Sequence, residues 1–200
     1  MERWLQKIVN RQIQKQKIPE AERDVYLYGY RLLLEKSVAL ILTVCIAWVF
    51  HAWWEVVCFC ISFIPIRIYA GGFHAKKSST CMLISAMVVI ANILIVRGML
   101  SWDIPVFLYM VLVELPVFAL LVLCSPVETQ NRGIGDTEKK YFRTMVGRIL
   151  IAELIVEILF SVAGFDKIVV SFAVSHLSNL GTLVFGKYQI RRSACIEGEQ

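Results

Sequence analysis

Residues 37–66 read SVALILTVCIAWVFHAWWEVVCFCISFIPI, and whether this stretch crosses a membrane once or twice decides the fold. Its only charged or imidazole-bearing residues are His51 and Glu55. A helix rising ~1.5 Å per residue needs roughly 20 apolar residues to cross the hydrocarbon core. Read as two spans, Ser37–Phe50 and Trp53–Ile66, each is short; read as one, the stretch is long. Four more apolar runs follow, at Thr80–Val96, Ile104–Cys124, Ile149–Phe165 and Ile168–Phe185. The Lys and Arg residues between the runs separate the two readings. With six spans, all 21 Lys and Arg except Arg97 and Lys167 fall on the side of the N-terminus. With five spans the cations divide almost evenly. Cytoplasmic loops carry the excess of Lys and Arg, so six spans are expected, with both termini cytoplasmic in the cell membrane.

Composition agrees with lipid as the main solvent. Of 200 residues, 58% are hydrophobic, and the mean hydropathy is +0.64; soluble domains average about 45–50% apolar. The expected class is all-α, a polytopic transmembrane bundle of about six spans. Its organisation reads as a cytoplasmic segment over 1–36, a membrane domain over 37–186 and a cytoplasmic tail over 187–200. Residues 1–36 are polar and carry no early apolar h-region, so insertion is expected to use the internal spans. Within them Trp4, Leu5, Ile8, Val9 and Ile13 follow helical spacing, with Arg3, Lys7, Arg11 and Lys15 among them. That is the pattern of a basic amphipathic helix on the inner leaflet; a solvated helix is the alternative. The net charge of +5 follows from topology and calls for no nucleic-acid partner.

Most of the six cysteines (Cys45, Cys58, Cys60, Cys81, Cys124 and Cys195) lie in apolar runs, where Cys behaves as a small hydrophobe. No CxxC pair is present, and neither a structural zinc site nor any metal site is indicated. Cys81 differs, because it borders the loop Arg67-Ile68-Tyr69-Ala70-Gly71-Gly72-Phe73-His74-Ala75-Lys76-Lys77-Ser78-Ser79-Thr80-Cys81. Ser78, Ser79 and Thr80 are suitable helix N-caps, which would place Cys81 at a helix start, in the positive end of the helix dipole. Lys76 and Lys77 add positive charge. These conditions favour a nucleophilic thiolate, and free N–H groups at the same helix end suit an oxyanion. His74 can serve as base only within ~3 Å. Seven residues along a continuous helix would separate the pair by about 10.5 Å. The loop must therefore fold back, and Gly71-Gly72 supplies backbone angles other residues resist. A helix-end Cys and a loop His with no joint role remain the alternative.

Arg67, the Ala70-Gly71-Gly72-Phe73-His74-Ala75 segment and Cys81 together resemble the accessory gene regulator B (AgrB) family of membrane peptidases. Length and the number of apolar runs are similar too, as are Tyr28-Gly29 with Glu35 and Ser125-Pro126 before a basic loop. The resemblance implies a cysteine endopeptidase in which Cys81 attacks and His74 is the base. Its substrate would be a short AgrD-like precursor peptide. An acyl-thioester on Cys81 would pass to an internal Cys or Ser of the peptide, giving a cyclic thiolactone or lactone used in quorum sensing. It implies no cofactor, and it suggests a homodimer.

Arg67 is expected to hold a substrate carboxylate or a loop carbonyl, or to act as an inner-face anchor. Lys76, Lys77, Lys139, Lys140, Arg143 and Arg148 form a basic surface that would attract an acidic peptide tail. Glu153 and Glu157 share a helix face, and with Glu114 they lie inside apolar runs. Such acids face a bundle interior and default to a functional reading; pairing with Arg148, His176 or Asn179, or protonation, is the structural one. Two rivals to the peptidase follow. One is a small peptide transporter using Glu114, Glu153 and Glu157; the other is a non-catalytic membrane adaptor.

Overall fold

The structure is a computed structural model that describes residues 2–15, 19–72, 78–102, 105, 109–127 and 135–197. Every regular element among them is helical. Helix α1 covers Glu2–Gln14, and a short 3-10 turn at Glu20–Glu22 leads into α2, Arg23–Val49. Helices α3 (Trp53–Ala70) and α4 (Ser78–Leu100) follow. A π-helical turn at Met110–Glu114 runs into α5, Leu115–Cys124, and then come α6 (Asp136–Val162) and α7 (Asp166–Glu197).

Each of the six apolar runs overlaps one of these helices over its described residues. Helices α2, α3, α4 and α7 are long and apolar enough to cross a membrane, whereas Leu112–Cys124 is a shorter apolar helix. Helix α6 has the length, at 27 residues, and carries Glu153 and Glu157 in its apolar half.

The stretch 37–66 breaks where its two-span reading requires. His51 adopts φ 47°, the left-handed conformation that closes a helix. The Ala52 N–H then bonds back to the Ala47 carbonyl at 2.9 Å, and α3 begins one residue later. The turn between the fifth and sixth runs, at Gly164-Phe165, has the same design. Gly164 takes φ 77°, and the Phe165 N–H reaches the Phe160 carbonyl at 2.9 Å. Pro116, in the fourth run, is the second residue of α5. There its missing N–H costs little, and the irregularity is the π-turn just before it.

Burial separates a central helix from peripheral ones. Helix α7 packs on α3, α4, α5 and α6. Of its apolar window 56% is buried, against 11% for α2. Large apolar side chains cover the outer faces, among them Leu40, Ile41 and Trp48 of α2 and Ile151, Ile155 and Leu159 of α6. Contiguous exposed apolar surface on this scale needs a non-aqueous solvent. Helix α1 buries Leu5 and Val9 and packs on α2. Arg23 donates to Asn10 and Tyr30 to Gln12. Part of its apolar stripe therefore meets protein while Trp4 stays exposed.

The two cations that break the charge asymmetry meet at one residue. Glu55, 1% exposed, lies 3.6 Å from Arg97 Nε and 3.1 Å from Lys167 Nζ. Arg97 Nη2 also donates to the Phe50 carbonyl at 2.6 Å. The α2–α3 turn, the end of α4 and the start of α7 are thereby tied together at the His51 end of the bundle.

Candidate active site

At the opposite end α3 stops at Ala70, and the chain bends at Gly71 (φ 71°) and Gly72 (φ 132°). Both values lie where a side chain is disfavoured. Space forbids one as well. A Cβ on Gly72 would fall onto Arg67 Nη1, and one on Gly71 would lie 3.0 Å from the Val127 carbonyl oxygen. Arg67 Nη1 donates to the Gly71 carbonyl at 2.7 Å and reaches Thr182 Oγ1 of α7 at 3.4 Å. The arginine therefore holds a loop carbonyl, one of its expected roles, and fastens the bend to the central helix.

The bend has a second anchor. The Val127 N–H donates to the Ala70 carbonyl at 2.9 Å, so the extended segment after α5 docks on the end of α3. Arg143 Nε of α6 holds that segment through the Ser125 carbonyl at 3.2 Å. The Ser125-Pro126 bond is cis.

Cys81 is exposed, in the first turn of α4. Ser78 opens that helix, so Ser78, Ser79 and Thr80 are its first residues and do not precede it as caps. Their N–H groups belong to the set with no partner within the helix. The Arg67 guanidinium lies within electrostatic reach of Cys81. His74, Lys76 and Lys77 lie outside the described residues, together with Phe73 and Ala75.

A cavity of about 360 Å³ opens beside the bend, lined by Ser125, Val127, Lys139, Arg143, Lys187 and Arg191 among others. Four of these side chains are cationic. The sequence pattern pointed to Lys139 and Arg143; the part taken by Lys187 and Arg191 emerges because α7 continues as a helix to Glu197 and returns them to the same wall.

The sequence profile of accessory gene regulator B (AgrB) matches residues 1–186. The chain belongs to the AgrB family. Members of this family take part in processing the AgrD peptide in quorum sensing. A protein of Clostridium perfringens (strain SM101, type A) described as AgrB-like is 27% identical over 162 residues, covering 78% of this chain and 75% of its own length. A second AgrB-like protein, from C. perfringens strain 13, is 26% identical over 143 residues, 68% of this chain and 66% of its own. No solved structure matches.

This AgrB chain also holds a polar cluster inside its bundle. His176 of α7 is fully buried, with Nδ1 2.9 Å from Glu114 Oε1 and Nε2 2.6 Å from Glu153 Oε2. Ser62 of α3 donates to Glu153 at 3.0 Å. Glu157 Oε1 stands 3.6 Å from His176 Nδ1, and the edge of Phe118 packs on the imidazole. The three intramembrane glutamates thus converge on one histidine. The spacing of Glu153 and Glu157 foretold a shared face; that Glu114 and His176 complete the set is a tertiary fact.

Proposed function

We propose that this AgrB protein is a membrane cysteine endopeptidase that cuts and cyclises an AgrD-like precursor peptide, with Cys81 as nucleophile and His74 as base. The observation that carries the reading is the Arg67 clamp. It fixes the Gly71-Gly72 bend at the entrance of the short segment leading to Cys81. A seven-residue separation serves a dyad only if the chain reverses before α4, and the reversal begins at these glycines.

In this mechanism Cys81 Sγ attacks the scissile carbonyl as His74 takes its proton. The proton passes to the leaving amine, the C–N bond breaks, and an acyl-thioester remains on Cys81. A Cys or Ser within the bound peptide then attacks the thioester carbonyl, frees Cys81 and closes a thiolactone or lactone ring. Exchange of an amide for a thioester is uphill in water. Removal of the released remnant draws it forward, and a site at the membrane boundary keeps water from the acyl-enzyme. The N–H groups of Ser79 and Thr80 are suited to the oxyanion. The cationic cavity beside the bend suits an acidic C-terminal remnant, drawn there by opposite charge. Lys76 and Lys77 add positive charge to the sequence before Cys81, and in this reading both termini lie on the cytoplasmic side, where the precursor is made.

The test is co-expression with the precursor. Cys81→Ala and His74→Ala are expected to insert normally and to leave the precursor uncut. Cut peptide from the Cys81→Ala strain would sink the mechanism.

A further inference from the structure

Two glutamates and His176 itself form a donor set suited to a divalent cation. We propose that Glu114, Glu157 and His176 Nδ1 bind one, a zinc-class ion that ties the π-turn, α6 and α7 together inside the bundle. The argument starts from an unmet need. Glu157 is 0% exposed, and both of its carboxylate oxygens lack a hydrogen-bond partner, as does Glu114 Oε2. Buried carboxylate oxygens without donors are costly, and each calls for an explanation.

Two protonation schemes leave that need unmet. An imidazolium at His176 satisfies Glu114 and Glu153 and gives nothing to Glu157. A proton on Glu157 lets it donate to Glu114 and leaves the other Glu157 oxygen bare. A cation gives a partner at once to one oxygen each of Glu114 and Glu157 and to His176 Nδ1, and these two carboxylates match its two charges.

Geometry agrees. The three ligand atoms lie within 4.8 Å of one another. His176 Nδ1 is 2.9 Å from Glu114 Oε1 and 3.6 Å from Glu157 Oε1. Zinc bonds of ~2.0–2.2 Å to N and O in tetrahedral geometry put neighbouring ligand atoms about 3.4 Å apart, between the two observed spacings. Glu153 stands on the far ring nitrogen at 2.6 Å and is itself held by Ser62. A carboxylate there takes the Nε2–H and turns the Nδ1 lone pair toward the other two ligands, as carboxylates do behind metal-bound histidines. Glu114 closes a π-helical turn, a distortion that concentrates at functional sites. Imidazole with carboxylates favours zinc and its transition-metal neighbours, and a fourth position is left for water. The proposed ligands come from elements other than the α4 turn that carries Cys81.

The test uses the full-length chain without an affinity tag, purified in detergent, stripped with a chelator and titrated with Co²⁺ or Zn²⁺. Expected are one ion per chain, visible Co²⁺ bands of a nitrogen–oxygen site without thiolate charge transfer, and a raised Tm. Glu157→Gln is expected to abolish the bands, and Glu153→Gln to weaken binding roughly 10- to 100-fold. Cys81→Ala and His74→Ala are expected to keep both bands and affinity. Absence of bands and of any Tm change in the stripped wild type would overturn the proposal and leave a cluster that holds protons only. Bands kept in Glu157→Gln and lost in Cys81→Ala or His74→Ala would overturn it too. If Glu157→Gln fails to fold, the wild-type titration and the Cys81 and His74 variants still decide.

Discussion

The guanidinium of Arg67 occupies the space that a side chain on Gly72 would need. The two residues are therefore one device, in which the glycine makes room and the arginine fills it while gripping the Gly71 carbonyl. Gly72→Ala is expected to expel Arg67 from this position. A methyl forced into packed surroundings costs about 1–3 kcal/mol, and the positive φ at Gly72 adds ~1–2 kcal/mol. If the loop gives way to relieve that strain, precursor cleavage falls at least ~10-fold while the protein accumulates normally in membranes. Arg67→Lys is expected to fail similarly, because the lysine ammonium on its linear stem does not refill the space beside Gly72 that the planar guanidinium occupies while Nη1 reaches Gly71 and Thr182. Pulse-labelled precursor and immunoblots of membrane fractions measure both, and normal cleavage in Gly72→Ala would remove the clamp from the mechanism.

Cys81 is exposed at the end of the bundle where the Lys and Arg cluster, whereas Cys58 is buried. In a Cys195→Ser background, a membrane-impermeant maleimide is expected to label Cys81 in inside-out vesicles and not in right-side-out ones. Cys45, exposed on the face of α2, points to lipid and is expected to stay unlabelled, since the reagent reacts in water. Labelling of Cys81 from the outside would invert the assigned topology and with it the source of the substrate.

The span count was legible in the sequence because bilayer thickness and loop charge constrain a chain locally. The break at His51 was legible as polarity within an apolar stretch, although its left-handed cap was not. For Arg67 the sequence left several roles open, and the structure shows it holding the Gly71 carbonyl. The reason for two consecutive glycines was only half legible. Backbone freedom can be read from glycine itself, but the exclusion of a Cβ on Gly72 by Arg67 and on Gly71 by Val127 depends on neighbours 5 and 56 residues away. His176 was one of three partners the sequence offered these acids, beside Arg148 and Asn179, and only the packing of α7 shows that all three glutamates meet at it.

Glu55 carries a prediction about stability. It is buried, and it faces the half-exposed cations Arg97 and Lys167. Glu55→Gln removes the common anion from both. The cations can still reach water, so the loss stays near ~1–2 kcal/mol, or roughly 2–8 °C in Tm for a chain of this size. Lys167→Met in the same background is expected to recover part of the loss, because it removes one of the cations left without a partner. Fluorescence-detected melting in detergent measures this. An unchanged Tm in Glu55→Gln would show that the knot at the His51 end carries no net stability.

The cationic cavity makes the sharpest kinetic prediction. Lys187 and Arg191 line it from α7, outside the Cys81 loop. The double variant Lys187→Glu/Arg191→Glu is therefore expected to leave the chemical step intact and to weaken capture of an acidic precursor end. Contacts of this partly solvated kind are worth ~0.2–1 kcal/mol each, and reversing two of them raises KM roughly 3- to 30-fold with kcat little changed. The defect should shrink as salt rises, because the Debye length falls from ~10 Å at 0.1 M to ~3 Å at 1 M. A precursor whose C-terminal acids are replaced by amides should lose the distinction between wild type and variant. Cleavage of synthetic precursor in proteoliposomes across a salt series measures all three effects. A fall in kcat at constant KM would place these residues in support of the loop, and an unchanged KM would take the cavity out of substrate recognition.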